Sequence, residues 1–493
     1  MQTEQLRFPG LDQGPNLNVA KLTRSHMTPA ELALDAAARE YIRNQGPHVS
    51  APLSGIDFHS LKVLLQGFDR GQGNNHLDKS TPTTHRIGYS GESSDVAKRI
   101  AAATSYNTPL GEGIGNLNLA HPEAQGYRSA ATLYYQDNPT TVIVPMAREP
   151  VTGEVAVDYA SSMVGGKHVI GITIGLDDQT EEEAKRAADR NGSSHLKQSD
   201  ILRAINWKAL CAEIGIPHTE EDPHLPPSGT KGLTMLSGVL AARVINGHAQ
   251  NGVAFIDSDI MNNSAGGYDP LAYLALPGVV NPGNDLRAIS VARTGPGRNN
   301  EMTVNSLNEL AYDTDQLDDE SRQTAFLLAA TNSWALTGER LFPAVDGHSM
   351  LFSMPWTTGM SIETQMNLYR AGIELAKRGV QSAQVFNPNP KVERGISDPV
   401  REFSMLSRCV DWQVQVLRHA SRVGRQLPDF SIADIADFNK SHGAVEQTRY
   451  YVSERHAPNT PRVIERDFML PSVDQMISMG AVNVDALQTY GTR

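Results

Sequence analysis

Two carboxylates, Asp257 and Asp259, sit one residue apart directly after the apolar run Val253-Ala254-Phe255-Ile256 in the stretch NGVAFIDSDIMNN. Burying two neighbouring acids is costly unless a cation or hydrogen-bond donors compensate. Residues two apart on a strand project to the same side. A pair placed so can hold a hard divalent cation through oxygen, leaving positions for water and for phosphate oxygens. The plainer reading is a strand that ends with its acids in water. A similar pair, Asp313 and Asp315, lies in the polar run AYDTDQLDDESRQ and reads as a solvated face. A second chemical group is Lys231 in SGTKGLTM, just inside a Gly-flanked helix start, where an ammonium adds to the helix dipole in holding an anion. The G-x-x-x-x-G-K-[ST] spacing of a phosphate-binding P-loop is absent, and taken alone a lysine so placed is more often an ordinary surface residue.

The elements that must position these groups alternate. TTVIVPM is a β-branched run and a helix is expected over GEVAVDYASSMV. KHVIGITIGL is a second strand, followed by a charged helix in DDQTEEEAKRAADRNG, opened by a capping box of Thr180 and Glu183. One helix is expected around SDILRAINWKALCAEIGI and another over LTMLSGVLAARVING before the strand GVAFID. Strands alternating with helices predict an α/β fold with a mostly parallel sheet flanked by helices. Ligands bind such sheets at the C-terminal ends of the strands, where the acid pair lies. Further on, LRAISVART and VQSAQVFN read as strands, and EMTVNSLNELAY and SIETQMNLYRAGIELAKRG as helices. VREFSMLSRCVDWQVQVLRHASRVGRQ reads as one long amphipathic helix, and the tail after Pro428 as solvated helices and loops. Three regions result: an N-terminal extension over 1–138, polar and with one clear helix behind the N-cap Thr28; an α/β domain over 139–398; and a mainly helical C-terminal region over 399–493.

The formal charge of −12 disfavours broad binding to a nucleic-acid backbone. Two distant cysteines, Cys211 and Cys409, argue against a disulfide scaffold or a Cys-rich zinc site and suit a reducing cytoplasm. No apolar run of about 18 residues predicts a membrane span, and the first residues lack the pattern of a secretory signal.

TVIVPMARE, GTKGLTM and FIDSDI, in that order, resemble the retaining GT-A glycosyltransferases, above all the glucosyl-3-phosphoglycerate and mannosyl-3-phosphoglycerate synthases. GPGRNNEMT resembles that family's Gly-rich acceptor loop, TTGMSIETQMNL its G-x-x-[IV]-E motif, and AQVFNPNPKVERG the segment that supplies a metal-binding histidine. The resemblance runs from Thr140 to Asp398 and implies a GT-A-like, Rossmann-like nucleotide-diphospho-sugar transferase fold. It places Pro145 and Glu149 in a nucleotide-binding loop after the first strand and Asp178, or its neighbour Asp177, near the base. Either acid is equally a helix-start residue. Lys231 would contact the nucleotide; Asp257 and Asp259 would hold the metal and the diphosphate. Arg298 would hold an anionic acceptor group, with Asn299 and Thr303 as weaker candidates and His348 as a minor one. Glu363 would orient hydroxyls. Where the family carries its histidine this chain has Glu393, which can ligate Mn²⁺ or Mg²⁺; Asn387 or Asn389 are the alternatives.

The implied activity is metal-dependent transfer of a hexose, glucose from UDP-glucose, to a hydroxyl acceptor, such as the small anionic 3-phosphoglycerate, with retention at the anomeric carbon. The implied cofactor is Mn²⁺ or Mg²⁺; no membrane partner is expected, and a homodimer is compatible. Three alternatives stay open. A sugar-1-phosphate nucleotidyltransferase should carry a basic Gly-rich loop after the first strand, which PMAREPVTGE lacks. A non-catalytic nucleotide-sugar-binding relative is favoured by the missing histidine. A glycosyltransferase of modified DNA bases is opposed by the negative charge.

Overall fold

The computed structural model describes residues 88–89, 131–147, 150–218, 222–227, 231–245, 247–258, 270–280, 286–293, 307, 310, 315–331, 338–377, 382–387, 399–442 and 467–491. The strands are β1 Gly88–Tyr89, β2 Thr140–Met146, β3 Val169–Thr173, β4 Ser194–Lys197, β5 Gly252–Phe255, β6 Ala288–Arg293, β7 Arg340–Phe342, β8 Ala344–Val345, β9 His348–Ser349, β10 Trp356–Thr357, β11 Ser382–Asn387 and β12 Met469–Leu470. The helices that matter below are α1 Pro150–Val164, α2 Asp178–Asn191, α3 Gln198–Arg203, α4 Trp207–Glu213, α5 Lys231–Val244, α6 Pro270–Val280, α7 Asp319–Thr331, α8 Ile362–Lys377, α9 Pro399–Val423, α10 Ile432–His442, α11 Val473–Ser478 and α12 Val484–Gly491.

Eight strands form one sheet in the order β1-β11-β6-β7-β5-β2-β3-β4. The pairs β2–β3, β2–β5, β3–β4 and β6–β11 are parallel, while β7 runs antiparallel between β5 and β6. This is the mostly parallel, helix-flanked α/β sheet that the alternation in the sequence predicts. Strands β2, β3 and β5 are near-continuous buried apolar runs because both faces are covered. On β2, Val142, Val144 and Met146 pack with α1, α2 and α6, whereas Ile143 packs on the opposite face with α3, α5 and α8.

From β2 the chain winds outward through β3 and β4, then returns to lay β5 on the other side of β2. Strand order therefore reverses between β2 and β5, and at that switch point the two connections leave in opposite directions and open a crevice at the strands' C-terminal ends. Both ends are described: Met146 and Ala147 after β2, and Ile256, Asp257 and Ser258 after β5.

Several local expectations are corrected. The N-cap of α2 is Asp177, whose side chain accepts from Thr180 N at 2.7 Å and Thr180 Oγ1 at 2.8 Å, so Thr180 lies inside the helix and does not open a capping box. The expected single helix over 199–216 is two, α3 and α4. Asn206 caps the second by accepting from Ala209 N at 3.1 Å, while its own N–H donates to Ala481 O. β5 ends at Phe255, so Asp257 lies beyond the strand and the two-residue pleat does not orient it. Among the described residues the tail after Pro428 is not a solvated appendage: Phe468, Met469, Leu470, Val473, Met476 and Leu487 are buried in the same core as α5 and α8, and β12 pairs with β10. The helix behind Thr28 and most of EMTVNSLNELAY lie outside the described residues.

Candidate functional site

Asp257 stands at the switch point, half-buried, two residues past the end of β5. The antiparallel register of β5 with β7 pairs Phe255 with Arg340, and continued outward it sets Asp257 opposite Gly338. A Cβ on Gly338 would lie 2.1 Å from Asp257 Oδ1 and 2.3 Å from Oδ2. Glycine at 338 is thus what leaves room for the carboxylate.

Lys231 is the first residue of α5. Its placement depends on the segment that leads into α8. A Cβ on Gly232 would lie 1.9 Å from Thr357 O, and Leu233 N donates to Thr358 O at 3.3 Å, so this segment lies against the helix N-terminus and takes one of its unsatisfied N–H groups. The same contact sets Glu363, in the first turn of α8, against Lys231, and the ammonium donates to Glu363 Oε1. A lysine at a helix N-terminus faces the positive end of the dipole, and the carboxylate offsets that repulsion. Burial alone would push the Lys231 ammonium down, but Glu363 and Asp257 outweigh it and its pKa is raised. It is a firm cation across the physiological range.

Behind these groups α8 presents Glu363, Asn367 and Arg370, spaced i, i+4 and i+7 and therefore on one face. All three are buried, as are Glu339 and Arg340 on the approach to and start of β7. Arg340 Nη1 donates to Asn367 Oδ1 at 2.6 Å. Burial pushes Arg340 down to about 10; Glu363, Glu339 and Asp257 hold it up and Arg370 opposes it. At neutral pH it stays charged.

The segment carrying Glu363 is anchored from below. Asp467 accepts from Arg408 Nη2, from Ser361 Oγ at 2.6 Å and from Ser361 N at 3.2 Å, with Arg408 and Asp467 side chains 2% and 0% exposed. A Cβ on Gly359 would collide with the Asp467 carboxylate at 1.5 Å. Thr358 exchanges bonds with Phe468: Thr358 N donates to Phe468 O, and Phe468 N donates to Thr358 Oγ1, each at 3.0 Å.

Of the residues singled out in the sequence, the structure brings Asp257, Lys231 and Glu363 together. Pro145 is the penultimate residue of β2, opposite Ile172, and not in the loop; β5 has ended beside it, so its missing N–H breaks no ladder bond there. Asp177 is committed to capping α2, and Asp178 is exposed in that helix's first turn. His348 bonds Ser353 Oγ at 2.8 Å and lies 3.3 Å from Asp474 on α11. Asn387 closes β11. Glu149, Asp259, Arg298, Asn299, Thr303, Asn389 and Glu393 lie outside the described residues. Sequence reasoning missed Gly338, Glu339, Arg340, Asn367 and Arg370; TGER preceding the apolar Leu341-Phe342 was the one available signal.

Asp257 suits one corner of a divalent-cation site: an acid at the switch point, with space kept beside it by Gly338. Glu363 is engaged by Lys231. Among the described residues no group of three His, Cys, Asp or Glu could hold a metal. Mg²⁺ and Mn²⁺ are bound by carboxylate oxygens together with water and substrate phosphates, chemistry that the Asp257 carboxylate fits.

No protein-family model matches the chain, and no curated protein matches it. Solved structures do. The chain is similar to glucosyl-3-phosphoglycerate synthase and mannosyl-3-phosphoglycerate synthase. Glucosyl-3-phosphoglycerate synthase from Mycobacterium tuberculosis, in complex with Mn²⁺, UDP-glucose and phosphoglyceric acid, is 19% identical, covering 70% of this chain and 94% of its own, with a TM-score of 0.44. The same enzyme with Mg²⁺ and UDP is 19% identical over 60% of this chain and 84% of its own, at a TM-score of 0.39. Mannosyl-3-phosphoglycerate synthase from Rubrobacter xylanophilus is 19% identical over 70% and 92%, at a TM-score of 0.42.

Proposed function

We propose that this protein is a metal-dependent glycosyltransferase that moves a hexosyl group from a nucleoside diphosphate sugar, UDP-glucose in the first instance, to the hydroxyl of a small anionic acceptor such as 3-phosphoglycerate. The observation that carries this reading is the meeting of Asp257, Lys231 and Glu363 at the crevice between the C-terminal ends of β2 and β5. An acid at the strand end for a cation, a cation for phosphate and an acid for hydroxyls are the groups that transfer from a diphosphate leaving group needs.

Lys231 and the N-terminus of α5 attract the diphosphate and stabilise the charge it gains as the C1–O bond breaks towards it. A divalent cation held by Asp257, with Asp259 and Glu393 as the proposed further ligands, would supply Lewis-acid stabilisation of the same charge. Glu363, fixed by Lys231, orients hydroxyls of sugar or acceptor. Arg298 is assigned to the acceptor's anionic group, and Glu149 and Asp178 to the nucleotide end. The acceptor oxygen bonds to C1 on the face the diphosphate leaves, and its proton passes to a diphosphate oxygen. Retention follows without a protein nucleophile or a dedicated general base, and the protein contributes orientation and charge.

The test is UDP release from UDP-glucose and 3-phosphoglycerate with Mn²⁺. Release should require the metal, stop with EDTA and fall at least about 100-fold in Asp257→Asn, the scale of losing one electrostatic group at a reacting centre. Turnover that survives EDTA or that substitution would overturn the assignment. UDP-sugar binding with no turnover across acceptors would favour the non-catalytic binding relative.

A further inference from the structure

The buried charges behind Asp257 form a set. Lys231, Arg340 and Arg370 are positive; Asp257, Glu339 and Glu363 are negative; and electrostatic reach links Arg340 to Lys231 and Arg370 as well as to the three acids. The formal charges of these six described groups sum to zero. Only Lys231 and Asp257 among them combine partial exposure with a place at the crevice. Arg340 is 4% exposed, and Asn367 fixes its guanidinium from α8. It cannot leave the cluster, and it cannot be neutralised at physiological pH.

We infer that Arg340 is a positioning residue of this site: held by Asn367 behind Asp257, its fixed positive charge opposes a lone cation at Asp257 and favours an anion at Lys231. This rests on the proposed nucleotide-sugar site and adds a residue to it. A dication entering alone leaves the set with two excess positive charges, and a diphosphate entering alone leaves it with excess negative charge. Entering together they cancel, so each should bind better when the other is present, by the same factor in both directions. Arg340 biases that balance against the lone cation and towards the anion. Neutralising it must therefore act with opposite signs: the cation binds tighter and the diphosphate binds more weakly. Damage to packing would weaken both.

The experiment measures Mn²⁺ affinity by electron paramagnetic resonance and UDP affinity by calorimetry, each with and without the other ligand, on the full chain. In the native protein each ligand should tighten the other by roughly 5- to 50-fold. Arg340→Gln should tighten Mn²⁺ alone and weaken UDP alone by several-fold each. Arg340→Lys keeps the charge and should leave both near native. Since Arg340→Gln strips a buried partner from Asn367 and could impair folding, Asn367→Asp serves as the second variant. It is isosteric, pairs with the same guanidinium and adds one negative charge, so the same opposed shifts are expected. Shifts of both ligands in one direction, or none, in a folded variant of either kind would overturn the inference while leaving the glycosyltransferase assignment intact. A native protein that binds neither Mn²⁺ nor UDP would sink both.

Discussion

At the scale of single residues, the site is governed by one charge and one absent methyl group. The likeness of FIDSDI to an acid motif made Asp257 legible, and GTKGLTM made Lys231 legible, because a charged residue beside an apolar run or at a helix start stands out in any sequence. Gly338 did not stand out. Its role follows from the register between β5 and β7, which no local pattern records. Its substitution is the sharpest residue-level test. In Gly338→Ala the new Cβ would sit 2.1 Å from Asp257 Oδ1, so the carboxylate must swing away or the backbone must give. Overpacking of this kind costs about 1–3 kcal/mol of stability. The larger effect should fall on ligands: Mn²⁺-dependent UDP binding should drop more than about tenfold, on the scale of one lost charged contact, while far-UV circular dichroism stays native. Undiminished binding would mean that the Asp257 carboxylate is not the group that holds the cation.

At the scale of elements, α8 shows what a sequence hides. SIETQMNLYRAGIELAKRG was readable as a helix and Glu363 was singled out by resemblance, but nothing local says what covers the polar positions Glu363, Asn367 and Arg370. They are buried, because β7 inserts antiparallel between β5 and β6 and brings Arg340 against that stripe. Helix period is local, whereas the identity of the neighbouring element is not. The same holds for Asp467, which lies far along the chain and yet fixes the turn that leads into α8. Removing Arg408 leaves the Asp467 carboxylate buried without its counter-ion, a loss of about 3–5 kcal/mol. Arg408→Met should therefore lower the urea midpoint sharply. Arg408→Met combined with Asp467→Asn should recover part of the loss, since no uncompensated charge remains. A double variant as unstable as the sum of the single ones would show that the two side chains are not energetically coupled.

At the scale of the whole molecule, the sheet is the part the sequence disclosed best. β2, β3, β5 and β6 are β-branched or apolar runs with residues buried on both faces, and they and β11 were read from their β-branched and apolar composition. The strand order was not disclosed, nor was the C-terminal tail's place in the core, because both depend on which segments meet across hundreds of residues. The two edges of the sheet also differ in kind. The C-terminal edge gathers fixed charges, while the N-terminal edges of β2, β3 and β5 gather neutral polar groups. There His248 Nδ1 meets Thr141 Oγ1 at 2.8 Å, Asn251 Nδ2 lies 3.2 Å from the same oxygen and 3.3 Å from His168 Nδ1, and the two imidazoles stand edge to face. Burial pushes His248 down to about 4, with His168 adding to the shift and a bond to the Lys167 backbone opposing it. His168 is lowered too, by burial first and Lys167 second. The sign follows from linkage. Above about pH 6.5 the imidazole is neutral in both states, and its contribution to stability is fully present. As pH falls from there to about 4, the unfolded chain binds a proton that the folded chain refuses, so stability declines. For His248 the decline should be on the order of 2 kcal/mol by urea unfolding. His248→Gln keeps a polar partner for Thr141 and does not titrate. It should flatten that part of the slope without removing it, since His168, His195 and His419 are also held low. If the variant and native proteins lost stability in parallel between pH 6.5 and 4, the imidazole would have to be protonated within the fold, and the three strands would not be meeting around a neutral ring.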